Sequence, residues 1–213
     1  MEFHTDRRPG RGGQTGVMSI EAVVLDLDGV VRHFGPGNVA EVEARHGLAE
    51  GALMAAAFEP SLLEQVITGQ ISRAEWGRRV GVVLGSPAAA ADWQADQGRI
   101  DWDMMALVDQ LRAAGFVVAV LTNGTDTIAE EMQTLGVDDR FDAIFNSALI
   151  GYAKPDRRAF EYVSQALGVS PSAIFFTDDS PSKLAGAIEI GMHARTFEGI
   201  DTFRLHLAEL LDF

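Results

Sequence analysis

The stretch Ile20-Glu-Ala-Val-Val-Leu-Asp-Leu-Asp28-Gly29 decides the fold. It is a short aliphatic, β-branched run without polar alternation, and it ends in two carboxylates and a glycine. A run of this kind reads as a strand buried on both faces of a parallel sheet. Two later runs repeat the pattern, Phe116-Val-Val-Ala-Val-Leu-Thr122 and Ala173-Ile-Phe-Phe-Thr-Asp178, with a shorter one at Asp142-Ala-Ile-Phe-Asn146. Helical stretches separate them: Met104–Ala114, Thr127–Leu135, Asp156–Leu167 and Pro181–Ile190, each closed by a glycine at 115, 136, 168 or 191. Thr127-x-x-Glu130 reads as a capping box. The β-then-α order predicts an α/β fold, a Rossmann-like doubly wound parallel sheet.

Residues 38–99 break that rhythm. They carry no convincing strand, only helical patches at Val39–His46, Gly51–Phe58, Leu62–Thr68, Ser72–Leu84 and Ala88–Gln97. Ser72-Arg-Ala-Glu75 opens the longest as a second capping box. The organisation expected is an α/β core of residues 20–37 and 100–213, with a helical insert at 38–99 large enough to form a lid. Residues 1–19, with Arg7, Arg8, Arg11 and four glycines, read as a disordered leader or expression remnant, with Met18 a plausible start.

Composition bounds the function. The 213 residues carry 17 Lys+Arg against 31 Asp+Glu, a net charge of −14, and a pI near 4.6. A nucleic-acid binder needs clustered cations to displace counterions, so that class is excluded. With no cysteine there is no disulfide framework, thiolate metal site or thiol nucleophile. No apolar run is long enough to span a membrane, and no export signal is present, which places the expected compartment in the cytoplasm.

In an open parallel sheet, ligands sit beyond the carboxyl ends of the strands. Those ends carry Asp26-Leu-Asp28-Gly29, Thr122-Asn123-Gly124 and Asp178-Asp179-Ser180, and a loop after the short strand adds Lys154-Pro155. Packing a core would not gather four carboxylates, a hydroxyl and one of only two lysines in the chain. Clustered carboxylates repel unless a cation sits among them, and all-oxygen ligation suits Mg²⁺. The hydroxyl, the ammonium and the N–H groups of glycine turns suit a phosphoryl group. A carboxylate nucleophile with a second carboxylate as general acid and base would follow. Taken alone, Asp178-Asp179-Ser180-Pro181 also reads as a helix cap, and Thr122-Asn123-Gly124 as a turn.

Asp-x-Asp-Gly-Val, Leu-Thr-Asn, Lys-Pro and Asp-Asp, in that order, resemble the four motifs of the haloacid dehalogenase superfamily, and the insert resembles its small C1 cap. The resemblance covers Ile20 to the C-terminus. It implies that Asp26 is the nucleophile that becomes an aspartyl-phosphate. It makes Asp28 the acid/base, with its backbone carbonyl a Mg²⁺ ligand. Thr122 and Lys154 would hold the phosphoryl oxygens, and Asn123 would help position the phosphate. Asp26 and Asp178 would complete the metal site, with Asp179 beside them as direct or water-mediated support. His33 lies where the family places a flap hairpin and is a candidate substrate contact, a surface position being the alternative. After Asp-Asp-Ser-Pro many relatives carry Asn-Val where this chain has Ser182-Lys183-Leu184; Lys183 reads as a solvated helix residue. Trp76 reads as cap core, and Arg73, Arg78 and Arg79 as a solvated face rather than substrate contacts.

The resemblance implies Mg²⁺-dependent hydrolysis of a small phosphorylated metabolite by a monomer or homodimer. Asp28 argues against dehalogenation, which lacks that residue, and the absence of lysine from 35–99 argues against phosphonate cleavage through a cap lysine. A phosphomutase keeps the same motifs and stays open. A receiver-like phospho-accepting domain fits less well, since it has no acidic pair after its lysine.

Overall fold

The computed structural model describes residues 19–35 and 37–210, so the expected leader lies outside the described residues except for Ser19. Five parallel strands form the central sheet: β1 (Ala22–Leu25), β4 (Val117–Thr122), β5 (Ala143–Asn146), β6 (Ile174–Asp178) and β7 (His193–Thr196), in the order β5-β4-β1-β6-β7. β1 sits at the centre, with Leu25 level with Val120 on one side and Thr177 on the other. Alternate residues of its apolar run feed two cores. Val23 and Leu25 pack with Leu107, Met132 and Phe203, while Ala22 and Val24 pack with Phe160, Phe176 and Ala187. Both faces are therefore covered, which is why the run shows no alternation.

The first cluster draws on α6 (Trp102–Ala113), α7 (Ile128–Thr134) and α11 (Ile200–Leu210). The second draws on α9 (Arg157–Leu167) and α10 (Ala185–Glu189). β7, His-Ala-Arg-Thr, is an edge strand with only Ala194 buried, too polar to announce itself in sequence. The short α8 (Ser147–Ile150) follows β5 directly.

The insert holds α1 (Asn38–Arg45), α2 (Ala52–Ala57), α3 (Pro60–Ile67), α4 (Arg73–Leu84) and α5 (Pro87–Gln94). They enclose their own apolar cluster around Leu53, Val66, Trp76 and Val80. Trp76 is buried, donates its indole N–H to the Ala57 carbonyl at 2.9 Å, and meets Trp93 edge-on at 4.8 Å between centroids. The chain enters and leaves through two short strands, β2 (Arg32–His33) and β3 (Arg99–Ile100), which pair antiparallel. Residues 99–100 are thus extended, although no strand is expected up to Arg99, because this pairing ties both ends of the insert into one hairpin.

Three local expectations change. Thr127 has helical dihedrals and makes no cap; its hydroxyl donates instead to the Glu131 carboxylate at 2.6 Å. Ser72 does cap α4, accepting the Glu75 N–H, but Glu75 turns away to pair with Arg78 and Arg79, so the reciprocal half of that box is missing. The segment 181–190 is a 3₁₀ turn (Pro181–Lys183) followed by α10, not one helix, and Ser180 makes no side-chain cap.

α10 is nonetheless what holds the Lys154 loop. Gly186 lies against the backbone of that loop, so close that a Cβ there would stand 2.2 Å from the Pro155 carbonyl and 2.9 Å from the Arg157 nitrogen. In an exposed helix, Gly→Ala gains about 1 kcal/mol. Here the overpacking cost, about 1–3 kcal/mol, should dominate. Gly186→Ala should therefore lower the melting temperature; an unchanged or higher value in thermal denaturation would show that the loop yields freely.

Candidate active site

Three strands and one loop bring the site together. β1 runs into Asp26, whose N–H donates to the Thr177 carbonyl at 2.9 Å and so extends the pairing with β6. β6 ends at Asp178, which is fully buried, with Asp179 beside it at the surface. β4 ends at Thr122, also buried. Lys154 enters from the β5 side, on the loop after α8, and is 2% exposed.

Its ammonium lies 2.7 Å from Asp26 Oδ1 and 2.7 Å from Asp178 Oδ2, bridging the two carboxylates. The Phe176 ring lies under it, 5.5 Å from nitrogen to centroid. Asp26 Oδ1 also accepts the Leu27 N–H at 2.7 Å, and Asp178 Oδ1 accepts the Ser180 N–H at 2.9 Å. Burial pushes the Asp26 carboxyl up to about 7; Lys154 opposes the rise and the Asp178 charge adds to it.

Oxygens of Asp26, Asp178 and Asp179 all lie within 4.8 Å of one another. Asp179 reaches the group by lying across Gly29: a Cβ at that glycine would sit 2.1 Å from Asp179 Oδ2. Gly29 also has φ +91°, so both the turn and the close approach require glycine there. Three carboxylates against one ammonium leave an excess of negative charge in an all-oxygen cluster, a donor set that fits a hard divalent cation.

The remaining candidates take distinct places. Asn123 is bonded twice to the Lys154 backbone, donating to its carbonyl and accepting its N–H, both at 2.8 Å. It fixes the lysine's loop. Lys183, expected in solvent, reaches the same carbonyl at 3.4 Å. His33 lies on the outer side of the hairpin, 45% exposed in its side chain and 3.4 Å from Asp101. Arg78 and Arg79 pair with Glu75 on the insert's outer face.

Asp28 does not join the cluster. Its carboxylate is gripped by Arg32, with Nε to Oδ1 at 2.6 Å and the second contact at 3.1 Å. Arg32 is itself buried and extends a third bond to Glu131 at 2.7 Å. Burial works to raise Glu131, yet the Thr127 hydroxyl and the Arg32 guanidinium hold it below the usual glutamate range. On its other side Glu131 faces Arg73 of α4 at 3.5 Å, and the Arg73 N–H donates to Asp126 at 2.7 Å. Asp28, Arg32, Glu131 and Arg73 therefore form a chain of charges from the end of β1 to the insert. Arg32 and Glu131 were not legible as site residues; the one available signal was the Asp28–Arg32 spacing of four. Arg73, read as a solvated face, spans insert and core instead.

Between insert and core lies a cavity of about 360 Å³. Asp28, Asn123 and Gly124 form its edge on the sheet side, and Phe58, Trp76 and Trp93 are among its walls on the insert side.

A parallel sheet with acidic strand ends, a bridging lysine and a helical insert after the first strand defines a class of hydrolases. Residues 20–191 match the model of the haloacid dehalogenase-like hydrolase family, and the chain belongs to that family. It is 31% identical to a phosphatase from Mycobacterium tuberculosis, over 83% of this chain and 87% of that one. It is 26% identical to a sesquiterpene phosphatase from Aspergillus oryzae, over 82% and 88% of the two chains. The fold superposes with TM-score 0.74 on a family enzyme from Bacteroides thetaiotaomicron solved with magnesium and inorganic phosphate, 24% identical, covering 88% of this chain and 99% of that one.

Lys154→Met should leave two buried carboxylates without their cation. Breaking a buried pair in this way costs about 3–5 kcal/mol. Without metal, the loss should be larger well above pH 7 than well below it. Asp26 has its carboxyl raised to about 7, so it is protonated on the acid side, where it no longer repels Asp178. Melting curves in chelator at the two pH values test this; equal deficits would mean that the lysine's packing, not its charge, matters.

Proposed function

We propose that the chain is a Mg²⁺-dependent phosphatase that hydrolyses a small phosphate monoester through phosphorylated Asp26, with a small phosphorylated metabolite of the cytoplasm as its partner. The Lys154 ammonium bridging Asp26 and Asp178 beside Asp179 is the observation that carries this reading. It is the arrangement that a doubly charged phosphoryl group and a divalent cation would share. Residues 38–99 act as the cap over a core of 20–37 and 100–213.

Asp26, Asp178, Asp179 and the Asp28 carbonyl would hold Mg²⁺, which supplies charge neutralisation between the nucleophile and the phosphoryl oxygens. Asp26 Oδ1 is taken by the Leu27 N–H and by Lys154, which leaves Oδ2 to attack phosphorus. The bond from phosphorus to the leaving oxygen breaks as Asp28 gives that oxygen a proton. Asp28, now ionised, takes a proton from water, and the hydroxide displaces Asp26 to release inorganic phosphate. Lys154 and Thr122 bind the phosphoryl oxygens throughout, and Asn123 keeps Lys154 in place through its backbone.

Asp28 rests ionised in the fork of Arg32, so before it gives a proton to the leaving oxygen it must turn from the guanidinium and take up that proton from solvent. Glu131 retains Arg32 when it does so. Hydrolysis is favoured over phosphoryl transfer between two positions of one substrate. A mutase must hold a second anionic group in the cavity, and both arginines there, Arg32 and Arg73, already face Glu131.

Asp26→Asn should reduce kcat at least about a thousandfold, since an amide does not form the intermediate. Steady-state turnover of p-nitrophenyl phosphate near the wild-type rate in that variant would refute the nucleophile. Mg²⁺ should raise the melting temperature of the chelated, dialysed protein, by about 2.7 kcal/mol of linkage at a hundred times its Kd. Asp178→Ala should abolish most of that shift. An unchanged wild-type melting curve and activity in millimolar Mg²⁺ would remove the metal from the mechanism.

A further inference from the structure

The cavity under the insert is lined on most sides by hydrocarbon: Phe34, Met54, Phe58, Leu63, Ile67 and Trp93 all border it. Three of these are exposed large apolar side chains, Phe34 at 46%, Met54 at 42% and Phe58 at 44%. A protein of net charge −14 has ample polar residues with which to cover itself. A contiguous exposed apolar surface that borders a reactive centre marks a binding site.

The polar groups in the same walls are already satisfied by protein. Arg32 holds Glu131 throughout, and holds Asp28 until Asp28 turns to the leaving oxygen. Arg73 donates to the Gln94 carbonyl at 2.5 Å, and the Gln94 amide returns a bond to the Arg73 carbonyl at 2.9 Å. Asp96 accepts from Asn38 at 2.6 Å and from the Gly98 N–H at 2.9 Å. A sugar or a nucleobase entering this space would give up its water for groups that are already bonded, and its own hydroxyls or ring nitrogens would go unpaired. A hydrocarbon loses nothing of that kind.

The position fixes which part of a substrate occupies the cavity. It begins at Asp28 and Asn123 and extends away from Asp26 into the insert. Asp28 faces the leaving oxygen in the reaction proposed above, so what lies beyond it is the leaving group. At about 30 Å³ per heavy atom, water's share of its liquid, the cavity of about 360 Å³ takes roughly ten to twelve carbons. We propose that this chain acts on the monophosphate of an aliphatic alcohol of about ten carbons, its chain buried beneath the insert among Phe34, Met54, Phe58 and Trp93. The inference rests on the phosphatase reading for its chemistry, but the cavity can be tested apart from turnover.

Two measurements on the full chain with Mg²⁺ decide it. In the first, kcat/KM is followed along the n-alkyl phosphates from methyl to dodecyl, each below its micelle concentration, beside glucose 6-phosphate and a nucleoside monophosphate. Burial of each methylene should raise kcat/KM about two- to fourfold, until the series flattens near ten carbons. The two hydrophilic esters should fall below hexyl phosphate. A flat or falling series, or a preference for either hydrophilic ester, overturns the apolar leaving group while leaving the phosphatase intact. In the second, methyl and decyl phosphonates, which cannot turn over, are compared by thermal shift. Decyl phosphonate should give the larger rise at equal concentration, and equal shifts overturn the proposal even if no ester is hydrolysed. No hydrolysis of any ester combined with a larger decyl shift overturns the phosphatase reading and keeps the cavity assignment. Met54→Gln, at an exposed position that tolerates a polar residue, should cut the decyl-to-methyl ratio of kcat/KM at least about tenfold. Phe34→Gln gives a second reading of the same ratio, and a ratio unchanged in both variants overturns the assignment of these walls.

Discussion

The bridge from Lys154 to Asp26 and Asp178 is the constraint on which the rest of the structure depends. An ammonium that is 2% exposed needs carboxylates for company, and two buried carboxylates need a cation. Much of the surrounding architecture serves to hold that one nitrogen. Asn123 clasps the lysine's backbone from the end of β4, Lys183 reaches the same carbonyl, and Gly186 lets α10 lie directly on the following residues. The aromatic floor of Phe176 belongs to the same strand as Asp178, so one element supplies both the counter-charge and the packing.

The bridge does not neutralise the site. Asp179 adds a third carboxylate within 4.8 Å, admitted only because residue 29 has no side chain. Burial then shifts Asp26 toward its neutral form. The fold has thus built a place where its own charges are unfavourable and a divalent cation is welcome. Stability is given up locally, and a cation that binds there recovers it.

Insert and core are joined by more than the β2–β3 hairpin. Arg32 occupies one strand of that hairpin, grips Asp28 at the end of β1 and, through Glu131, faces Arg73 at the start of α4. Movement of the insert would therefore be felt at Asp28 through side chains that are themselves charged and largely buried. The same pairing leaves the cavity walls without spare polar groups, so the network that connects the two parts also makes the space between them hospitable to hydrocarbon.

The sequence by itself determined four of the five strands of the sheet and the candidate site residues at their ends. Ile20 to Leu25, Val117 to Leu121 and Ile174 to Phe176 must be buried on both sides, and acidic residues at the ends of such runs have no structural excuse in a core. Those signals are local, carried by a few consecutive residues, and they were readable. Four motifs in order gave Asp26, Asp28, Thr122, Lys154 and the acidic pair as candidates, and the structure brings Asp26, Lys154, Asp178 and Asp179 into contact. What only the tertiary structure decided are pairings between distant segments. That Glu131 meets Arg32, 99 residues away, depends on how α7 lies against the hairpin, and nothing in either local sequence encodes it. Thr127 abandoned its expected cap because the Glu131 carboxylate lay within reach. His33 faces outward and Arg32 inward because strand alternation is set by pairing with Arg99 and Ile100. The apolar cavity belongs to the same category: its walls come from α1, α2, α3, α4 and α5 and from the loop after β4, and only packing turns scattered Phe, Met and Trp residues into one surface.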